Sequence, residues 1–165
     1  MLDQLANQIG EILVKALRRQ FTLQGHKLTG KLNASIEDLV IKRTTGVKIQ
    51  VLFEEYGIYV NNGVAASRIP YSPGSRTGAG KSKYISGLEM FARLRFGLSG
   101  RDALNAAFAI AAKHARQGMP TKASKRFSKT GKRTQAIEAA LKDTEEQIEQ
   151  LTTDLLQEVI KNLAA

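Results

Sequence analysis

The chain has 165 residues, a formal net charge of +10 and a hydrophobic content of 42 %, which is enough for one domain with a buried core. It has no cysteine, which excludes disulfides and thiolate chemistry, and its two histidines, His26 and His114, are too far apart in sequence to predict a metal site. No run of about 18 apolar residues predicts a membrane span, and the start of the chain lacks the pattern of a signal peptide. We therefore expect no metal, no cofactor and no membrane partner.

The positive charge is concentrated in the middle of the chain. Residues 66–133 carry 15 basic and 2 acidic side chains, whereas residues 134–165 carry 2 basic and 7 acidic ones. A basic segment attracts polyanions, and an acidic tail can meet a basic surface on a neighbour; a solvated surface without a partner is the alternative. The candidate residues for contact with DNA or a protein partner are Arg68, Arg76, Lys81, Lys83, Lys122, Lys125, Arg126, Lys129, Lys132 and Arg133.

The spacing of apolar and turn-forming residues predicts mostly helices, with one β-hairpin. The hairpin is predicted because Val47, Ile49, Val51 and Phe53 alternate with Lys48, Gln50 and Leu52, which is typical of a strand with one buried face. In chain order the predicted elements are a helix over about residues 2–20, a helical turn over 31–35, strands over 36–43 and 47–53, a short helix or turn over 54–63, a loop over 64–82, a helix from about 83 to 97, a helix capped by Ser99 that stops at 118, a disordered basic arm over 121–133 and a long helix over 134–164.

The last helix has the clearest pattern. Its apolar residues are separated by alternating steps of four and three, which is typical of the seam of a coiled coil or a helical bundle. At 1.5 Å per residue the helix is about 45 Å long, so it packs either on its own domain or on a neighbouring copy, and the sequence leaves both open. The candidate packing residues are Ile137, Leu141, Ile148, Leu151 and Leu155.

Gly80-Lys81-Ser82 matches the end of a phosphate-binding loop, but the rest of the motif is missing. Ser75 stands where the motif requires its first glycine, and Pro70 and Pro73 are incompatible with the buried strand that should precede the loop. Adjacent carboxylates elsewhere have no partner across a predicted cleft. We therefore predict no catalytic residues and do not expect an enzyme, and we interpret the stretch as a basic loop.

Three short motifs occur in a characteristic order. Thr29-Gly30-Lys31-Leu32, closely followed by Ser35-Ile36, precedes the hairpin, and the stretch Tyr56 to Gly63 (YGIYVNNG) follows it. Gly118-Met119-Pro120 then leads towards the long helix. In this order the chain resembles the neck proteins of tailed double-stranded DNA phages, which are head–tail joining and tail-completion components. The Arg-Pro-Phe that often follows the last motif in that family is absent here.

The resemblance implies an α+β fold in which an N-terminal amphipathic helix packs on a small antiparallel sheet. A domain over residues 1–133 would contain an inserted helical pair over 83–118, and a long C-terminal helix over 134–165 would pack on it or on a neighbouring subunit. The implied function is structural: a ring of identical copies in the virion neck, assembled in the bacterial host cytoplasm. Its partners would be its own copies, the portal, adaptor and tail proteins, and the double-stranded DNA that passes through the ring.

A free nucleic-acid-binding protein is the alternative function, because the middle of the chain is so basic. Phe127 is the only aromatic residue in the arm over 121–133, which is a poor supply for stacking single-stranded bases. The sequence also has no recognition-helix motif and no zinc site. A DNA titration over a range of salt concentrations distinguishes the two functions.

Overall fold

A computed structural model describes residues 1–72 and 81–164 and confirms the mixed α+β fold. Two short 3₁₀ helices, Ala66–Arg68 and Lys122–Phe127, lie between the main elements. The helices and strands are α1 (Leu2–Leu23), α2 (Lys31–Ala34), β1 (Glu37–Arg43), β2 (Gly46–Leu52), α3 (Tyr56–Asn62), α4 (Lys83–Phe96), α5 (Gly100–Gln117) and α6 (Ala136–Ala164).

The main core forms where α1 packs between the hairpin and α6. Val14, Leu17 and Phe21 of α1 are buried at its centre. Ala136 and Ala140 of α6 are small enough to bring the two helices close together. The cluster of buried residues is Val14, Leu17, Phe21, Leu32, Ile36, Ala136 and Ala140.

The hairpin pairs β1 with β2 in an antiparallel register that runs from Glu37 opposite Leu52 to Arg43 opposite Gly46. Within the described residues no third strand joins the sheet, so the outer edge of each strand is free. Unpaired strand edges are sites at which another chain can add to a sheet.

The first motif builds the connection between α1 and the hairpin. Gly30 adopts the left-handed conformation at the start of α2, and Leu32 and Ile36 enter the main core. The Ser35 hydroxyl donates to the Leu32 carbonyl (2.8 Å) and accepts from the Glu54 N–H (3.1 Å), which ties this turn to the end of β2.

The segment between residues 64 and 119 leaves and re-enters the domain at one point. Val64 and Met119 form a β-bridge, in which each N–H donates to the other residue's carbonyl (2.7 and 2.8 Å). The helices α4 and α5 within this segment pack on each other around a second cluster that contains Ile85, Ala107 and Ala111. The predicted helical pair therefore has its own small core and is attached at the bridge.

Glycine is required on both sides of this bridge. Gly63 and Gly118 have φ angles of 74° and 75°, in the left-handed region that L side chains rarely adopt. A Cβ atom on Gly63 would lie 2.6 Å from the Met119 carbonyl oxygen, and one on Gly118 would lie 2.5 Å from that of Val64. The glycines of the second and third motifs thus permit the close approach of the two chain segments that form the bridge.

Asn61, in the second motif, caps the long helix from a distance in sequence. Its side-chain oxygen accepts from the Ile137 N–H (2.9 Å), and its main-chain carbonyl accepts from the Gln135 N–H (2.8 Å). Its amide donates to the Glu138 carboxylate (3.1 Å). The first turn of a helix has N–H groups without helical partners, and the buried Asn61 supplies an acceptor for one of them.

From this cap, α6 runs antiparallel to α1. Gln135, which immediately precedes α6, lines the same cavity as Gln24, which immediately follows α1. Further along α6, the Gln20 amide donates to the Asp143 carboxylate (2.6 Å), so the chain runs backwards along α1 as α6 proceeds. The helix begins at Ala136, two residues after the predicted start, and ends as predicted at Ala164. The sequence left open whether α6 packs on its own domain, and its first half does.

Two local predictions need correction. Residues 121–133 are not a disordered arm, because they contain the 3₁₀ helix Lys122–Phe127 and the Lys129 N–H donates to the Leu23 carbonyl (2.7 Å). Ser99 is at the N-cap of α5 as predicted, but its side chain makes no capping hydrogen bond. The number of basic residues in this segment did not indicate that the segment is held against the end of α1.

We expect Asn61→Ala to destabilise the fold by about 2 kcal/mol, because it leaves the Ile137 N–H in the first turn of α6 without its acceptor and removes a buried polar side chain. Chemical denaturation measures this change. Asn7→Ala, at an exposed position on α1, is the matched control and should change the free energy of unfolding by less than about 0.5 kcal/mol. Equal effects of the two substitutions would contradict the role of Asn61.

Candidate interaction surface

A cleft separates the inserted helical pair from the rest of the domain. It consists of three adjoining cavities of about 400, 410 and 310 Å³, all lined by Phe91 of α4 and by Phe127. We call this region, from the end of α1 and α3 on one side to α4 and α5 on the other, the insertion cleft. It exists because the helical pair packs on itself and on the 3₁₀ helix Ala66–Arg68 rather than closing on the main core.

The floor of the insertion cleft is mostly apolar. The largest of the three cavities is lined by Tyr56 and Tyr59 of α3, by Leu88 and Phe91 of α4 and by Ile110 of α5. Tyr59 is 64 % exposed, so this surface is open to a partner. An exposed apolar surface in a concave site is typical of a binding surface.

The rim of the insertion cleft is basic. Among the described residues that line its three cavities there is no aspartate or glutamate. Of the cations on this rim, Lys31 alone forms an ion pair within the described chain, and its partner is Glu54 at 3.4 Å. The cations are Lys27, Lys31, Arg95, Lys113, Arg126 and Arg133.

His26 and Arg133 form the fixed polar corner of the cleft. The guanidinium of Arg133 can only donate, so His26 Nδ1 accepts from it (3.3 Å) and His26 Nε2 carries the proton that is donated to the Arg133 carbonyl (3.1 Å). Burial lowers the pKa of His26 to about 4; the charge of Arg133 acts in the same direction, and the hydrogen bond to its carbonyl opposes it. His26 is therefore neutral at neutral pH.

Phe127 is covered by cations. The guanidinium carbons of Arg95 and Arg126 lie 4.7 and 4.8 Å from the centroid of its ring, which is a cation–π arrangement. The arrangement joins α4 to the basic segment that precedes α6. It also occupies the ring that a single-stranded base would need for stacking.

The predicted contact residues fall into two groups. Lys81 and Arg133 are engaged within the chain: Lys81 pairs with the buried Glu89 of α4 (2.6 Å), and Arg133 donates to the Ser124 carbonyl (3.2 Å). Arg126 is exposed but lies over the ring of Phe127, and Arg76 lies outside the described residues. The exposed members without an ion pair in the described chain are Arg68, Lys83, Lys122, Lys125, Lys129 and Lys132.

Two residues of the Gly80-Lys81-Ser82 stretch have structural roles, and Gly80 lies outside the described residues. The Ser82 hydroxyl accepts from the Ile85 N–H (3.2 Å) and caps α4, while Lys81 and Arg93 hold the pKa of Glu89 below its usual range by hydrogen bonding to its carboxylate. Lys81 and Ser82 thus act within the fold to stabilise the start of α4.

The second half of α6 is a separate candidate surface, the helix end, which we define as residues 145–164. Leu156, Val159, Ile160 and Leu163 repeat at the spacing of one helical face, and three of them are 57, 65 and 83 % exposed (Leu156, Ile160 and Leu163). Five exposed acidic residues accompany one lysine here, and in the described chain none of these carboxylates forms an ion pair: Glu145, Glu146, Glu149, Asp154 and Glu158.

The predicted seam of α6 overlaps only partly with these surfaces. Ile137 packs against the main core, Leu141 is exposed, and Ile148, Leu151 and Leu155 are half-buried. Sequence reasoning missed the exposed apolar stripe of the helix end, although its steps of three, one and three from Leu156 were readable as a second helical face. It also missed the insertion cleft, because that surface depends on how distant elements pack.

Comparison with known proteins identifies no relative: no protein-family model matches the chain, and no curated protein or solved structure gives a significant match. Within residues 1–72 and 81–164, no helix combines the length and apolarity needed to cross a membrane. In the same part of the chain, no three metal-ligating side chains of His, Cys, Asp or Glu come together.

We expect the imidazole of His26 to titrate near pH 4 in the folded protein, against 6.5 in the unfolded chain. The unfolded chain then takes up a proton that the folded chain does not, so the stability that neutral His26 contributes is complete above pH 6.5 and is lost as the pH falls towards 4. NMR titration of the ring protons measures the midpoint, and His26→Gln, which retains a donor and an acceptor, should reduce the acid loss of stability.

His114→Gln serves as the control for this titration and assigns the two ring signals. The variant should leave the His26 midpoint unchanged, since His114 hydrogen-bonds Tyr84 (2.7 Å) on the other side of the cleft. A His26 midpoint near 6.5 would contradict the buried His26–Arg133 corner.

Proposed function

We propose that the chain is a structural protein of the neck of a tailed double-stranded DNA phage, in which copies form a ring that joins the portal or head to the tail and lets DNA pass. The observation that carries the proposal is the presence of two complementary surfaces on one chain. The insertion cleft is apolar with a basic rim, and the helix end is apolar with acidic flanks. Contact between two different surfaces is head-to-tail, and head-to-tail contacts close into rings when the rotation permits.

The motif residues support this proposal through their structural roles. Leu32 and Ile36 belong to the core, Asn61 caps α6, and Gly118 permits the bridge at the base of the insertion. These positions determine the path of the chain rather than a site of chemistry. Shared motifs are expected at such positions in assembly proteins, since these proteins share a fold and differ in their surfaces.

The charge distribution supports a role in assembly. The exposed lysines of the segment before α6, Lys122, Lys125, Lys129 and Lys132, suit an acidic portal surface or the backbone of DNA in the lumen. Contacts with DNA in a neck must be weak and salt-sensitive, because the DNA slides through the ring. The covered ring of Phe127 agrees with such a role better than with stable binding of single strands.

We expect the protein to occur in several copies per particle in the virions of the phage that encodes it. Deletion of its gene should yield DNA-filled heads and separate tails, because the joint between them is missing. Mass spectrometry of purified particles and negative-stain microscopy of the deletion lysate measure these outcomes.

Two results would contradict the proposal. One is a protein that is absent from purified particles and monomeric at every concentration in sedimentation. The other is a free protein that binds DNA tightly at physiological salt, with a salt dependence that corresponds to several phosphates, which would instead support a nucleic-acid-binding protein.

A further inference from the structure

We propose that the helix end of one copy docks into the insertion cleft of the next copy, and that this is the contact that links neighbouring subunits. The inference rests on the proposed function, because it specifies the interface of the ring. It names one occupant, the second half of α6 from another copy of this chain, for a cleft that is open in the single chain.

The occupant cannot come from the same chain. Helix α6 begins beside the cleft, since Arg133 lines it and Gln135 immediately precedes the helix. From Ala136 to Ile160 the helix then rises by about 36 Å along α1. A straight helix therefore carries its apolar end away from its own cleft, and the end can reach only the cleft of another copy.

The two surfaces match in apolar character. The helix end presents Leu156, Ile160 and Leu163 on one face to solvent, where they gain nothing from burial in the single chain. The cleft offers Tyr59 and Phe91 on its floor. Docking would remove both surfaces from water at once, as in the general mode in which a groove binds an amphipathic helix through positions i, i+3, i+4 and i+7.

The two surfaces also match in charge. The helix end carries five carboxylates against Lys161, whereas the lining of the cleft carries six cations and, among the described residues, no carboxylate. Lys27, Arg95 and Lys113 on the cleft side have no ion-pair partner in the described chain. Opposite charges steer the encounter, and like charges disfavour contact between two helix ends or between two clefts.

Site-specific cross-linking tests the docking, because the chain has no native cysteine. One full-length variant carries Gln157→Cys, beside the apolar stripe of the helix end, and a second carries Ala109→Cys in the lining of the cleft; both positions are exposed, and neither side chain is among the proposed contacts. The variants are mixed and treated with a flexible bis-maleimide, and mass spectrometry identifies the linked peptides. The matched control replaces Ala109→Cys by Thr45→Cys, at an exposed position in the turn between β1 and β2.

We expect the Gln157→Cys and Ala109→Cys chains to cross-link about tenfold more than the control pair, because docking raises the effective concentration of the two thiols. Adding Leu156→Ser to the Gln157→Cys chain should return the yield to the control level, since it removes an apolar side chain from the stripe without changing the charge. Equal yields for the two pairs would overturn the proposal, as would a dominant link between two Gln157→Cys chains or a yield unaffected by Leu156→Ser.

Sedimentation of the unmodified protein distinguishes a wrong docking interface from a wrong proposed function. A closed oligomer together with equal cross-linking yields overturns the docking and leaves the ring with another interface. A protein that is monomeric and absent from virions removes the proposed function itself.

Discussion

The buried side chain of Asn61 is the interaction on which the architecture depends. It joins α3 to the first turn of α6, and two residues later Gly63 allows the chain to form the bridge between Val64 and Met119. One short stretch therefore determines where the long helix starts and where the insertion leaves the domain. Because α6 starts beside the insertion cleft and then runs away from it, this junction also places the two candidate surfaces at opposite ends of one helix.

This placement gives a physical basis for the proposed assembly. A single chain has an apolar cleft with a basic rim and an exposed apolar helix face flanked by carboxylates, and it cannot bring them together. In the proposed assembly, association through different surfaces continues until the contacts close, and a fixed angle between neighbours then gives a ring of defined size. The free edges of the hairpin provide a further place for neighbours to pair.

Local patterns in the sequence predicted the elements well, and the way in which they meet was not predictable. The helical spacing in α1, the alternation in β2 and the stop at Gly97 each depend on neighbours in sequence, and each of these elements was predicted within a few residues of its bounds. The cap supplied by Asn61 to a helix 76 residues away, and the bridge at Val64, depend on tertiary packing that has no local signature. Resemblance to neck proteins drew attention to both motifs without indicating what their residues do.

The availability of the basic residues was also not predictable from the sequence. A count of lysines and arginines identified the basic middle of the chain, but it could not separate Lys81 and Arg133, which are engaged in the fold, from Lys122 and Lys125, which face solvent. The packing that makes this distinction also orders the segment that the sequence suggested was a free arm. The apolar stripe from Leu156 to Leu163 was readable but had no visible partner until the cleft was known.

Amide hydrogen exchange of the full chain, compared between dilute and concentrated protein, shows whether the helix end docks into the insertion cleft. If it does, exchange slows on association in two separate places, the last two turns of α6 and the part of α4 around Phe91, and the two changes have the same concentration dependence. Slowing in α6 alone would indicate that the helix ends pair with each other, and slowing in neither place would contradict head-to-tail assembly through these surfaces.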